Sequence, residues 1–309
     1  MIIHDGIQVL DGIENAVVTI GTFDGVHLGH QEILSRIIEL AKRNHGETAL
    51  VTLWPHPRFV LSPEDDSLKL LSTFEEKASI LSSLGLDHLI KIPFTKEFSQ
   101  WSSEKFIQEI IISALHTKKL VIGYDHHFGK DREGSFEHLK EHSARYGFTV
   151  EEIPRQDIDD VGISSTKIRD ALTKGAVELA TEFLGRPYEV MGTVVEGDKI
   201  GRTLGFPTAN ILVEASYKLI PKDGTYAVKI ILANKTFNAM LNIGMRPTVN
   251  GKERRMEAHL FDFDEQVYDQ KITVLFIKRL RDERKFESKE ALIEQLAQDK
   301  KEAIKILKN

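Results

Sequence analysis

Apolar residues along this chain of 309 residues keep two different rhythms. Between residues 15 and 172, short β-branched apolar runs alternate with stretches in which apolar residues return every three or four positions. The runs at 16–20, 48–53, 88–92, 119–123 and 148–153 have strand length, and helical spacing predicts helices after residue 30 and over 74–84, 103–115 and 135–146. Such alternation predicts a Rossmann-like α/β unit: a parallel sheet with helices on both faces, its ligands gathered at the carboxyl ends of the strands. A short helix over 176–184 then stops at Gly185-Arg186-Pro187, a glycine and proline pattern suited to a domain junction. Beyond it the composition turns β-rich, with strands expected at 188–196, 226–232, 237–242, 257–263 and 272–280 and no helix between them. That predicts a closed or nearly closed antiparallel β-barrel, followed by a terminal helix over about 287–307. The expected organisation is α/β followed by β, with domains 1–185 and 186–309.

The chemically loaded residues follow the strands. Strand 16–20 runs into Gly21-Thr22-Phe23-Asp24-Gly25-Val26-His27-Leu28-Gly29-His30, which sets two histidines three apart where a helix begins. Backbone N–H groups at a helix start, together with its dipole, accept an anion without a Walker-type lysine. Gly25 and Gly29 allow close approach or positive φ, and the imidazoles can donate to charge that grows on an α-phosphate during displacement. The plainer role for His27 and His30 is to cap the helix.

Later strands lead into comparable loops. Trp54-Pro55-His56-Pro57-Arg58 carries two prolines that predict an extended loop, with His56 either touching substrate or held rigidly at the surface. In Gly123-Tyr124-Asp125-His126-His127-Phe128-Gly129 the adjacent histidines raise the question of a metal, but side chains at i and i+1 diverge and no third ligand is spaced to join them. Ile163-Ser164-Ser165-Thr166-Lys167-Ile168-Arg169 supplies hydroxyls for a helix cap and an arginine one turn on that can fork across phosphate oxygens. A simple cap followed by a solvated arginine has the same pattern.

In the barrel region, the loop from Gly197 through Asp198, Lys199, Gly201, Arg202, Gly205, Phe206, Pro207, Thr208 and Ala209 to Asn210 is not a Walker loop, since no GKS or GKT ends it. Its N–H groups with Lys199 or Arg202 can surround polyphosphate, and the Thr208 hydroxyl and Asn210 amide oxygen are hard ligands suited to magnesium. A polar turn satisfying its own backbone is the alternative. Glu257 could serve as a base or pair with Arg254 or Arg255.

Composition narrows the chemistry. A net charge of −6 with both signs dispersed gives no bulk pull toward nucleic acid or an anionic membrane. The absence of cysteine removes disulfides, thiolate metal sites and cysteine nucleophiles. The first residues lack a signal-peptide pattern and no apolar run approaches membrane-spanning length, so a soluble cytoplasmic protein is expected.

His27-Leu28-Gly29-His30 resembles the HxGH signature of the nucleotidyltransferase superfamily, and the ten-residue form resembles its flavin adenylyltransferase branch. The 163–169 segment is similar to that superfamily's second phosphate motif. Leu204-Gly205-Phe206-Pro207-Thr208-Ala209-Asn210 resembles the signature of riboflavin kinase, and the stretches 242–248, 257–263 and 279–286 agree with it. Across nearly its whole length the chain therefore resembles prokaryotic bifunctional riboflavin kinase/FMN adenylyltransferases. The resemblance implies two modules: an N-terminal nucleotidyltransferase domain converting FMN and ATP to FAD and pyrophosphate, and a C-terminal riboflavin kinase barrel making FMN from riboflavin and ATP, both with Mg2+. It implies ATP contacts in the first from Gly21, Phe23, Asp24, His27, Gly29, His30, Ser164, Ser165, Thr166 and Arg169, with His27, His30 and Arg169 catalytic. His56, Gly123, Asp125, His127 and Phe128 would form the flavin or nucleotide loop, although relatives generally carry arginine where this chain has His127. In the kinase it implies ATP contacts from Gly197, Lys199, Gly201, Arg202, Gly205, Pro207, Thr208 and Asn210, metal on Thr208 and Asn210, Glu257 as base, and flavin against Arg281 and Phe286. No nucleic acid, membrane or obligate protein partner is expected. A cytidylyl- or pantetheine-type adenylyltransferase shares the histidines but not the barrel, and a flavin-binding regulator with a decayed centre is the alternative outside enzymes.

Overall fold

A computed structural model describes residues 1–7, 13–123, 128–130, 133–153, 162–197, 200–248 and 251–308. The chain divides into two compact units, one made of Met1–Leu68 and Lys77–Ser164, the other of Lys69–Glu76 and Ser165–Asn309.

The first unit is an α/β layer around a six-stranded parallel sheet. Its strands are β1 (Ile2–Asp5), β2 (Val17–Ile20), β3 (Thr48–Trp54), β4 (His88–Pro93), β5 (Lys119–Gly123) and β6 (Thr149–Ile153), in the order β1-β4-β3-β2-β5-β6. Val17, Val18, Leu50, Val51, Leu89, Leu120 and Val121 are fully buried, as strands covered on both faces require of a continuous apolar run. The order reverses at β2, which lies between β3 and β5, so the loop after β2 leaves from the switch point where doubly wound folds bind ligands. Helix α1 (Leu28–Arg43) follows that loop, burying Ile33, Leu34, Ile37, Leu40 and Ala41. Strand β1 was not expected; it is a short edge strand paired to β4 in the register Ile2↔His88.

The remaining helices of this unit are α2 (Pro57–Leu61), part of α3 (Phe74–Ser83), α4 (Ser103–Phe106) and α5 (Phe136–Tyr146). The loop expected to stay extended after Trp54 instead turns into α2, because Pro57 occupies the first helical position, where its fixed φ suits a helix and its missing N–H costs nothing. Helix α4 continues as a π-helical stretch, Ile107–Ala114, with Leu115 N–H reaching back to the Ile110 carbonyl. That widening leaves Ile107, Ile110 and Ile111 buried on one side.

The second unit opens with α6 (Ser165–Thr173) and α7 (Val177–Leu184), the latter ended by Gly185 at φ +69°. A closed barrel follows, built from β7 (Tyr188–Val195), β8 (Ala209–Leu212), β9 (Gly224–Leu232), β10 (Lys235–Thr248), β11 (Gly251–Leu260) and β12 (Lys271–Arg281) in the order β10-β11-β8-β7-β12-β9. A four-residue helix α8 (Ile200–Thr203) lies in the long loop before β8, and α9 (Lys289–Leu307) ends the chain, packing Ala303 and Leu307 against Ala227, Met240 and Phe261. Strand β8 was not anticipated, and β10 and β11 form a longer hairpin than the apolar pattern indicated. Strand β11 ends before 263 because Asp262 turns at φ +54°. Residues Lys69–Glu76 join this unit: Leu70 N–H donates to the Tyr217 carbonyl (2.7 Å), Leu219 N–H to the Leu70 carbonyl (2.8 Å), and the buried Glu76 carboxylate accepts from Lys218 Nζ at 2.6 Å.

Candidate active sites

In the first unit the switch-point loop is a compact, strained turn. Phe23 and Val26 take φ of +46° and +42°, values that cost a non-glycine residue free energy and so must be held by their surroundings. Gly25, at φ +79°, carries the part of the turn that suits glycine. A Cβ on Gly21 would come within 2.8 Å of the Phe23 ring, so the missing side chain makes room for that aromatic. Phe23, His30 and His27 then form a stack, with centroids 4.5 Å apart for the first pair and 3.7 Å for the second.

Both expected histidines are therefore together at the start of α1. His27 is also the helix cap: its Nδ1 accepts the His30 N–H at 3.4 Å, which places the proton of a neutral imidazole on Nε2. The cap uses one ring nitrogen, so capping by itself does not exclude a second role for the ring. His27 and Asp24 are buried at 6% and 4% exposure. Behind the turn is a residue that sequence reasoning missed. Lys77, on α3 and only 3% exposed, donates from Nζ to the Thr22 carbonyl at 2.6 Å and to Thr52 Oγ1 at 3.4 Å, and lies 5.2 Å from the Trp54 ring centre. Burial pushes its pKa down to about 8, against the opposing pull of Asp24.

His56 caps α2, accepting the Arg58 N–H on Nδ1 at 3.2 Å. Gly123 ends β5, and Phe128 is buried 5.4 Å from the Phe106 ring. Asp125 and His127 lie outside the described residues. Beyond the ends of β1 and β4 there is a cavity of about 510 Å³ lined by residues including Phe98, Trp101, Thr95 and Glu97. The rings of Phe98 and Trp101 are 4.9 Å apart. Ser164 closes the first unit, whereas Ser165, Thr166 and Arg169 belong to α6 of the second, where Arg169 Nε donates to the Lys69 carbonyl at 2.8 Å.

The second unit holds a cavity of about 1230 Å³ whose floor is written in the strand register. Asn210 on β8 pairs with Glu257 on β11, Glu257 with Asn242 on β10, Asn242 with Thr225 on β9, and Thr225 with Arg281 on β12. Residues directly opposite on neighbouring strands share a face, so five strands present one polar row, and all five residues line the cavity. Within the row Thr225 Oγ1 donates to Asn242 Oδ1 at 3.3 Å. One rim is the loop before β8: Gly201, Phe206 and Thr208 line the cavity, and Gly205 turns at φ +82°. A Cβ on Gly197 would strike the Asn210 amide at 2.0 Å, and one on Gly201 would meet the Phe206 carbonyl at 2.4 Å and Thr208 Oγ1 at 3.2 Å. These glycines leave space for the two expected metal ligands. Arg202 sits on α8, and Lys199 lies outside the described residues.

The opposite rim carries Arg281 and Phe286, with the guanidinium 5.7 Å from the ring centre. Arg281 is fixed from α9: Asp299, 2% exposed, takes Nε on both oxygens at 3.0 Å and Nη2 at 2.8 Å, while Gln295 donates to the same carboxylate at 2.7 Å. His259, two residues beyond Glu257 and on the same face of β11, contacts the Pro207 carbonyl through Nδ1 at 2.8 Å. Burial lowers its pKa despite that hydrogen bond, so the ring is a neutral donor to the Pro207 carbonyl. Arg254, one proposed partner of Glu257, instead binds Asp223 at 2.7 Å. Asn242, Thr225, His259 and Asp299 were not singled out from sequence. For His259 the two-residue offset from Glu257 was an available signal.

A family model described as FAD synthetase matches residues 11–167, and one described as riboflavin kinase matches residues 184–307. Proteins named bifunctional riboflavin kinase/FMN adenylyltransferase include one from Buchnera aphidicola subsp. Schizaphis graminum, 42% identical with 92% of each chain covered. Another, from Listeria monocytogenes, is 39% identical over 93% of this chain and 91% of its own. A solved structure named a macrolide-efflux protein from Streptococcus pneumoniae is 31% identical, with a TM-score of 0.87 over 97% of this chain and 98% of that one. Among the described residues no helix is long and apolar enough to cross a membrane.

Proposed function

The chain belongs to the bifunctional riboflavin kinase/FMN adenylyltransferase family, and from that premise we propose where each of its two reactions runs and which residues perform it. The modules are taken as 1–185 for FMN adenylyltransferase and 186–309 for riboflavin kinase. The observation that carries the assignment is the in-register row Asn210, Glu257, Asn242, Thr225 and Arg281 along one cavity of the second unit, taken together with the histidine stack at the switch point of the first unit's sheet.

In the kinase, Glu257 accepts the proton of the riboflavin primary hydroxyl as its oxygen attacks the γ-phosphorus of ATP, and ADP leaves. Arg281 and Phe286 hold the flavin end. Thr208 and Asn210 offer hard oxygens in space that Gly201 and Gly197 leave open, a donor set suited to Mg2+ that keeps most of its ligands as phosphate and water. When bound, that ion neutralises charge on the transferred phosphoryl group. His259 fixes the Pro207 carbonyl and with it the loop that presents Thr208.

In the adenylyltransferase, a phosphate oxygen of FMN attacks the α-phosphorus of ATP and pyrophosphate leaves. His27, through Nε2–H, and His30 donate hydrogen bonds to charge growing on the α-phosphate, while Gly21, Phe23, Asp24 and Gly29 shape the turn that receives the nucleotide. The aromatic cavity at Phe98 and Trp101 suits the flavin ring, with His56, Gly123 and Phe128 at neighbouring strand ends. Arg169 and the hydroxyls of Ser164, Ser165 and Thr166 are assigned to the β- and γ-phosphates on their motif alone. The need for ATP in both steps fits a cytoplasmic setting.

Purified protein given riboflavin, ATP and Mg2+ should form FMN and then FAD, read by chromatography of the flavins. Formation of FMN alone would refute the first-unit assignment; formation of neither would refute the second-unit assignment, and the same protein given FMN directly would then have to yield FAD for the first to stand.

A further inference from the structure

The strained turn at residues 21–27 has no lysine of its own, yet one stands behind it. Lys77 arrives from α3, fifty-five residues further along the chain, and its Nζ meets the Thr22 carbonyl at 2.6 Å with Thr52 Oγ1 at 3.4 Å. Its hydrogen-bond partners are that carbonyl and that hydroxyl, and Asp24 acts on it through space. Burying an ammonium on these terms opposes folding, and a methionine of similar length would fill the space without that cost. What methionine would lack is a fixed positive charge at one particular peptide group.

A trans peptide is planar, with its C=O and N–H pointing in opposite directions. Because the Thr22 carbonyl is drawn to Lys77, the N–H of Phe23 is turned to the other side of the turn, and Phe23 adopts φ +46°. A cation on the carbonyl also polarises the peptide and strengthens its N–H as a donor. We propose that Lys77 is a positioning residue of the adenylyltransferase site, acting on the nucleotide phosphates through the Thr22–Phe23 peptide rather than by contact. The turn thus receives from a distant helix the charge that a phosphate loop with a lysine carries within its own sequence. The depressed pKa, about 8, is in keeping with a cation maintained in a dry place.

This inference rests on reading the Gly21–His30 segment as the adenylyltransferase site, and the test separates the two. In the full-length protein, Lys77→Met should lower kcat for FAD formation from FMN by about 10- to 100-fold while KM for ATP changes by less than about threefold, because the donor acts where charge develops. FMN formation from riboflavin, measured in the same preparation, should stay within about twofold, and the melting temperature should not fall. Lys77→Gln keeps a donor for the Thr22 carbonyl without the charge and should lose about as much kcat. Parent-like FAD formation in Lys77→Met overturns the proposal, as does full activity in Lys77→Gln or a matched loss of both activities with lowered melting. His30→Ala is run alongside. If it is also parent-like, the site reading itself has failed; if it is inactive while Lys77→Met is not, only the role of Lys77 has.

Discussion

The turn proposed for the adenylyltransferase is built from ten consecutive residues, whereas the polar row in the cavity proposed for the kinase takes one residue from each of five strands. In the first, backbone conformation does the positioning: Phe23, Gly25 and Val26 hold positive φ, and two imidazoles stack on an aromatic ring. In the second, register does it, since a one-residue slip of β11 would carry Glu257 and His259 to the other face together. A local turn tolerates change elsewhere and fails when its own residues change. A cross-strand row depends on every strand that brings a member.

The sharpest way to break this comparison is to remove one group from each centre. His30→Ala should lower FAD formation from FMN by about 10²–10³-fold, the usual cost of a lost donor at developing charge, and leave FMN formation intact. Glu257→Gln should lower FMN formation by about 10²–10⁴-fold, as for a missing general base, and leave FAD formation from supplied FMN intact. Equal losses of both products in either variant would mean that the centres are not separate.

The two units also treat a buried lysine differently. Lys218, whose side chain is fully buried, meets the Glu76 carboxylate at 2.6 Å and the Leu71 and Glu189 carbonyls at 2.6 and 2.8 Å, so its charge is paired in place. Glu76 in turn accepts the Thr73 and Met191 N–H groups. Lys77, the next residue, is solvated by a carbonyl and a hydroxyl. Glu76→Gln should therefore destabilise the second unit by about 3–5 kcal/mol, the cost of leaving a buried ammonium without its counterion, measured by denaturant unfolding followed through FMN formation. A change below about 1 kcal/mol would show that the carbonyls suffice for Lys218.

Legibility in the sequence follows the same line. The histidine turn could be read directly because its strand, glycines and helix start are contiguous, and the sheet and barrel classes could be read because apolar spacing reports periodicity. Lys77 could not, because nothing in Phe74–Ser83 distinguishes a lysine facing Thr22 from one facing water. Strand β8 escaped because its four residues follow a loop with no apolar run, and Thr225 and Asn242 came to line the cavity only through pairing partners far away in the chain. Asp299 sits in a terminal helix full of charge, and only packing shows it to be 2% exposed against Arg281.

That acid offers a finer test of the barrel's dependence on remote elements. Asp299→Asn keeps the shape but removes the charge that fixes Arg281 at the rim proposed for the flavin. KM for riboflavin should rise about tenfold with kcat changed less, because ground-state holding is what is lost. FAD formation from FMN should not move. A fall in kcat at constant KM would place Arg281 at the transferring phosphate instead.

The smallest effect concerns His259, which ties the row to the loop before β8. Its pKa is lowered by burial, so the folded barrel binds this proton less readily than the unfolded chain does. The unfolded chain thus holds more protons between the folded pKa and the ordinary histidine value of 6.5, and stability rises with pH across that window. The contribution is complete above 6.5 and is lost as pH falls through the folded value, where Nε2 must take a proton inside the barrel with Lys300 adding to the penalty. Parent and His259→Gln should therefore differ most in melting temperature near pH 7.5, and the difference should shrink toward pH 5, by roughly the few degrees that about 1 kcal/mol commands. A constant difference across that range would mean that the Pro207 contact, rather than the neutral state of the ring, is all that His259 contributes, and the loop would then be held by geometry alone, as the histidine turn is.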